Sequence, residues 1–92
     1  MSDLTGLISV LQETRALLAL PTNDFAWSSW PDQAAALREI DSIIHQLQSG
    51  IVQNMAILFA PTGPIQEVSV SSGWGQEFLA LAERFDREFA SA

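Results

Sequence analysis

Apolar residues recur at helical spacing near the start of this 92-residue chain, and this periodicity is the strongest constraint on its fold. One face of a helix would carry Leu4, Leu7, Ile8, Leu11 and Leu18. Polar residues fill much of the remaining arc, and Pro21 follows the stretch. We therefore predict an amphipathic helix over about 3–20.

A second helix is predicted where apolar residues lie three, four and three positions apart, at Leu37, Ile40, Ile44 and Leu47. Ser29 is expected to cap its amino terminus, with Pro31 in the first turn. Gly50 is the expected terminating residue. These signals place the helix at about 30–49.

The pattern changes after Gly50, where the run IVQNMAILFA carries β-branched and aromatic residues and no charge. Pro61 and Gly63 suit the second and fourth positions of a type I turn. Beyond that turn, Val68 and Val70 alternate with polar residues. We predict an antiparallel β-hairpin, with strands at about 52–60 and 64–71.

Helical spacing returns in the last segment, through Trp74, Phe78, Leu81, Phe85 and Phe89. This stripe predicts a helix over about 73–89. The resulting expectation is a single α+β domain over 1–92, with the order α-α-β-β-α. In that fold the hairpin packs against three helices.

The first predicted strand, 52–60, has no charged residue on either face and nothing to protect an open edge. We therefore expect it to pair with its symmetry mate in a homodimer, which gives a four-stranded sheet across the twofold axis. The predicted interface residues are Met55, Ile57, Leu58 and Phe59. Helices of the same chain covering that edge are the alternative.

The predicted loop at 21–30 contains three aromatic residues, Phe25, Trp27 and Trp30. They could contact a ligand, but each can also bury roughly 150 to 250 Å² in the core of a small domain. The core interpretation is favoured, because so short a chain depends on such anchors.

The stretch from Ser72 to Gly75, which includes Gly73 and Trp74, leads from a predicted strand into a helix amino terminus. Such a turn can hold a phosphate or carboxylate, and Trp27 and Trp30 are candidates for the same ligand site. However, Phe78 replaces the third glycine of a dinucleotide-binding pattern. A structural joint anchored by Trp74 is therefore favoured over a small-ligand or anion site.

Few residues could perform catalysis or hold a metal. The chain has no cysteine, lysine or tyrosine, and His45 is its one histidine. A hydrolase centred on His45 is the weakest alternative, and a pair between His45 and Asp41 is the simpler interpretation. We predict no catalytic residue, no metal site and no cofactor.

Four arginines oppose eleven carboxylates, giving a formal net charge of −7. This balance argues against nucleic acid and anionic membranes as partners. The leucine-rich start carries Asp3 where a secretory signal needs positive charge, so a cytoplasmic location is expected. The function predicted is a small acidic protein-interaction module without catalytic activity, either an accessory subunit or an inhibitor or immunity-type protein. Its expected partner is another protein or a second copy.

Overall fold

The computed structural model describes residues 4–26, 28–52, 55–60 and 63–91. Within these ranges the chain forms five helices and no strand. The helices are α1 (Thr5–Leu18), α2 (Gln33–Gln48), α3 (Ala56–Phe59), α4 (Pro64–Ser72) and α5 (Gly75–Ser91). None of them is both long enough and apolar enough to cross a bilayer.

The predicted α+β class is therefore wrong, and so is the hairpin at 52–60 and 64–71. The described part of the first stretch contains α3, and the second stretch is α4. The turn predicted between them falls on Pro61 and Thr62, which lie outside the described residues. Helices α1, α2 and α5 occupy the stretches where helical spacing is strong.

Helix α4 forms because its boundaries and its buried residues both follow helical rules. Pro64 occupies the first turn, where its missing N–H costs no hydrogen bond. Gly73 ends the helix in the left-handed conformation, at φ 86°. Ile65, Val68 and Ser69 are buried three and four positions apart. The alternation of Val68 and Val70 that predicted a strand covers too few residues to outweigh these signals.

Helix α3 is short, but it buries one side of the uncharged run. Met55, Leu58 and Phe59 are buried, and their spacing of three and four matches a helical turn. The Phe59 ring stacks on Phe85 of α5 with centroids 4.2 Å apart. The same ring lies 6.5 Å from Phe78. Phe59 is therefore covered by α5 of the same chain.

This packing removes the basis for the predicted strand-mediated homodimer. Met55, Leu58 and Phe59 are each 5% exposed or less within one chain. The backbone at 56–59 is helical, so it has no ladder of amides to offer a second copy. The side chain of Ile57 lies outside the described residues.

Helix α1 is central, since it packs against both α2 and α5. Helix α4 packs on α5, and α3 packs on α4. An exposed ion pair spans each α1 contact: Arg15 to Asp41 of α2, and Glu13 to Arg84 of α5. The buried side chains of all five helices form one core.

The connection between α1 and α2 uses a different cap from the one predicted. Asp32, not Ser29, is the cap residue, and its carboxylate accepts a hydrogen bond from the Ala35 amide at 2.8 Å. Gln33 then donates to the carbonyls of Leu18 and Leu20. The first residue of α2 therefore satisfies the open carbonyl of Leu18, the last residue of α1.

Alanine substitutions at Gly73 and Gly75, between α4 and α5, should change the free energy of unfolding differently. Gly73→Ala should lower the free energy of unfolding by about 1 to 2 kcal/mol, because a side chain is strained at φ 86°. Gly75→Ala should leave it unchanged or raise it by up to about 1 kcal/mol, since Gly75 lies within α5 and an added Cβ has open space. Urea denaturation of both variants measures the difference. Equal effects would contradict the left-handed end of α4.

Candidate functional site

A groove of about 560 Å³ runs between α4 and α5. We call it the α4–α5 groove. Its walls include Gln66, Ser69 and Val70 from α4, and Gln76, Glu77 and Leu79 from α5. Gly73 and Gly75 also line it, so the joint between the helices borders the groove.

Two large apolar side chains project from this groove. Val70 is 69% exposed and Leu79 is 62% exposed, the highest values among the large apolar residues of the described chain. In α4 the buried stripe passes through Val68 and Ser69, which leaves Val70 outside it. In α5 the buried stripe passes through Phe78, and Leu79 is turned away from the core.

Four of the nine described residues that line the groove have polar side chains, namely Gln66, Ser69, Gln76 and Glu77. Ser69 is fully buried and its hydroxyl donates to the Gln66 carbonyl within α4, at 2.8 Å. Of the described residues that line the groove, Glu77 alone is charged. The walls hold no histidine and no arginine. The described walls therefore combine apolar residues with neutral polar side chains and one carboxylate.

The Gly73-Trp74-Gly75 turn joins two helices, so its predicted position between a strand and a helix is wrong. Trp74 is 5% exposed, and its indole N–H donates to the Asn23 side-chain oxygen at 2.8 Å. Ser72 lies in α4, and its hydroxyl accepts a hydrogen bond from the Asp24 amide at 2.8 Å. The turn is therefore fastened to the α1–α2 connection.

The other aromatic candidates lie away from the α4–α5 groove or outside the described residues. Trp30 is 7% exposed, and its indole N–H donates to Glu39 at 2.8 Å. Phe25 is partly buried against the core. Trp27 lies outside the described residues. Among the described ligand candidates, only Gly73 and Gly75 therefore line the groove.

The start of α5 offers little to an anion. Its first turn carries Glu77, whose charge opposes a phosphate or carboxylate. The groove walls supply no arginine to offset that charge. An amino terminus of a helix without a cation or bound ion does not by itself make a site.

The predicted pair of His45 and Asp41 is not formed. Asp41 accepts hydrogen bonds from Arg15 instead, at 2.5 and 3.2 Å. His45 is exposed near the end of α2 and lines neither groove of the described surface. No three histidine or carboxylate side chains of the described residues are grouped to hold a metal ion.

A second groove, of about 400 Å³, lies between α1 and α5. Its lining residues include Ala16, Leu17, Ala80 and Glu77, so Glu77 borders both grooves. The two ion-paired residues Glu13 and Arg84 also line it, with contacts of 2.8 and 2.6 Å.

The hydrogen bond from Arg84, helped by its charge, holds the pKa of Glu13 below its ordinary value of 4.5, against the opposing effect of burial.

The apolar residues predicted to form an exposed interface differ from the apolar residues that are exposed in the structure. Met55, Leu58 and Phe59 are buried, whereas Val70 and Leu79 are exposed. One signal was available for Leu79, because it falls outside the aromatic stripe of the last helix. Val70 could be placed only once α4 was known to be a helix.

No family model matches this chain, and no curated protein or solved structure shows significant similarity to it.

The lowered pKa of Glu13 predicts how the Glu13–Arg84 pair responds to pH. Its stabilisation is complete above about pH 4.5 and is lost as pH falls through the lower folded-state pKa. Both side chains are partly exposed, so Glu13→Gln should cost less than about 1 kcal/mol at neutral pH. The difference from the original chain should shrink in acid.

Urea denaturation between about pH 7 and pH 3 measures this change. Glu83→Gln is the matched control, because Glu83 contacts Arg87 at 3.7 Å and is more exposed. It should cost less at neutral pH than Glu13→Gln. A cost for Glu13→Gln that stays constant with pH would rule out the pair as its source.

Proposed function

We propose that this chain is a cytoplasmic protein-interaction module without catalytic activity, and that the α4–α5 groove is its binding surface. The observation that carries the proposal is the position of Val70 and Leu79. They are the two most exposed large apolar residues of the described chain, and both line one groove. Scattered apolar residues are normal on a surface, whereas apolar residues grouped in a groove are typical of binding sites.

The shape of the groove supports a macromolecular partner over a small molecule. Sites for small ligands usually enclose most of the ligand surface. Here the main apolar contacts, Val70 and Leu79, stand more than 60% exposed at the walls. Side chains in that position can be buried by a partner that lies along the two helices.

The surroundings of the groove support a rigid binding surface. Trp74 is bonded to Asn23, and Ser72 to Asp24, so the turn between α4 and α5 is tied to the α1–α2 connection. Phe78 lines the groove and is 3% exposed, which places a core residue directly beneath it. A surface fixed in this way loses little conformational entropy on binding.

The absence of catalysis is supported by the chemistry of both grooves. A general base must lie within hydrogen-bond reach of the group it serves. His45 lines neither groove, and Glu13 and Arg84 are occupied with one another. An accessory subunit and an inhibitor or immunity-type protein are the two roles that fit a small acidic module. The lack of cysteine suits a reducing compartment.

Affinity capture from the native cell tests the proposal. Leu79→Ser and Val70→Ser should each reduce recovery of the partner roughly tenfold, because each removes an apolar side chain that binding would bury. Ile51→Ser is the matched control, since Ile51 is 52% exposed and lines neither groove. All three variants should keep their helical circular dichroism.

A partner that is retained by Leu79→Ser and Val70→Ser as well as by the original chain would overturn the proposal. The same conclusion follows if Ile51→Ser loses the partner to the same extent, because the effect would then not belong to the groove.

A further inference from the structure

We infer that the α4–α5 groove binds a cationic amphipathic helix of a partner protein. This inference rests on the proposed function of the groove and adds the chemistry of its occupant. It depends on two properties of the same surface, which are its exposed apolar side chains and the sign of the charges beside them.

Each exposed apolar residue of the groove has a carboxylate one helical turn away. Glu67 precedes Val70 by three positions in α4, and Glu83 follows Leu79 by four positions in α5. Glu77 lines the groove itself. Residues 64–83 contain these three carboxylates and no arginine or lysine. The charges within the α4–α5 segment beside Val70 and Leu79 are therefore all negative.

Arg84 and Arg87, the nearest arginines in sequence, do not offset the negative charge beside the groove. Arg84 forms two hydrogen bonds to Glu13 of α1, so its charge is directed toward the other groove. Arg87 lies 3.7 Å from Glu83, and both side chains are exposed. Because such an exposed pair is weak, a lysine or arginine of a partner can compete for Glu83.

The helical walls of the groove determine which recognition mode fits. Adding a strand to a sheet requires a free sheet edge, and the described residues form no sheet. A groove between two packed helices instead accepts an amphipathic helix, whose apolar residues recur every three or four positions. Leucine-type residues of that helix would contact Val70 and Leu79, and its flanking lysines or arginines would reach Glu67 and Glu77.

A second copy of this chain is a poor occupant. A twofold contact through the groove would place Glu77 of each copy against the same acidic surface of the other. Each chain carries a net charge of −7, so repulsion would oppose that contact. Opposite charge on the partner removes this penalty and accelerates association.

Two synthetic helices of about 18 residues test the inference. Both carry leucine at positions i, i+3, i+4 and i+7, and the remaining positions are mainly lysine in one and mainly glutamate in the other. NMR titration of the isotope-labelled chain should show shifts of groove amides, including those of Val70, Glu77 and Leu79. The lysine helix should bind at least tenfold more tightly, and added salt should weaken it.

Two variants with the same change in net charge separate a local effect from a general one. Glu77→Gln and Gln48→Lys each raise the net charge by one, the first by removing a negative charge and the second by adding a positive one. Gln48 is exposed at the end of α2 and lines neither groove. Glu77→Gln should weaken the lysine helix at least twofold. Gln48→Lys should weaken it less.

Three results would overturn the inference: equal binding of the two peptides, shifts confined to another surface, or self-association through the groove in sedimentation. If one of these occurs while Leu79→Ser still reduces capture of the cellular partner, the proposed function stands and only the partner chemistry is wrong. If Leu79→Ser leaves capture unchanged, the proposed function itself fails.

Discussion

The stacking of Phe59 on Phe85 is the contact on which the rest of the structure depends. It joins the short helix α3 to α5, at a centroid separation of 4.2 Å, and Phe85 in turn stacks on Phe89 at 5.1 Å. Met55, Leu58 and Phe59 of the uncharged run are buried within the same chain. Helix α4 follows directly, packs on α5, and leaves Val70 facing outward.

A second set of contacts fixes this α4–α5 unit to the other helices. Trp74 reaches Asn23, and Asn23 also donates to the Leu17 carbonyl at the end of α1. One side chain therefore links the end of α1 to the start of α5. The exposed pair of Glu13 and Arg84 adds a weaker link between the same two helices. The two helices that form the groove are consequently fixed to the rest of the fold.

The three longer helices could be predicted from sequence because many apolar residues repeat in each. The stripe from Trp74 through Phe85 determines a helix whatever packs against it. The segment that forms α3 and α4 was harder, because α3 has four residues and α4 has nine. Over so few positions the alternation of Val68 and Val70 fits a strand as well as a helix.

Two local signals favour a helix over that alternation. Proline at the first helical position and glycine just after the last are the usual boundaries of a helix, and Pro64 and Gly73 occupy those positions. The groove could not be predicted at all from one segment. Its walls depend on the registers of α4 and α5 together, which tertiary packing determines.

The α4–α5 groove combines apolar and acidic side chains, and each kind is present for a different reason. Val70 and Leu79 are exposed because other faces of their helices pack into the core. The carboxylates beside them reflect a chain with eleven acidic and four basic side chains. Their proximity is what gives the groove a preferred partner chemistry.

NMR spectroscopy of the labelled chain tests most directly whether residues 56–59 are helical and Phe59 packs on α5. The account predicts helical Cα shifts for 56–59 and 64–72, together with nuclear Overhauser effects between the rings of Phe59 and Phe85. Extended-chain shifts over these residues, with cross-strand contacts between 52–60 and 64–71, would contradict it.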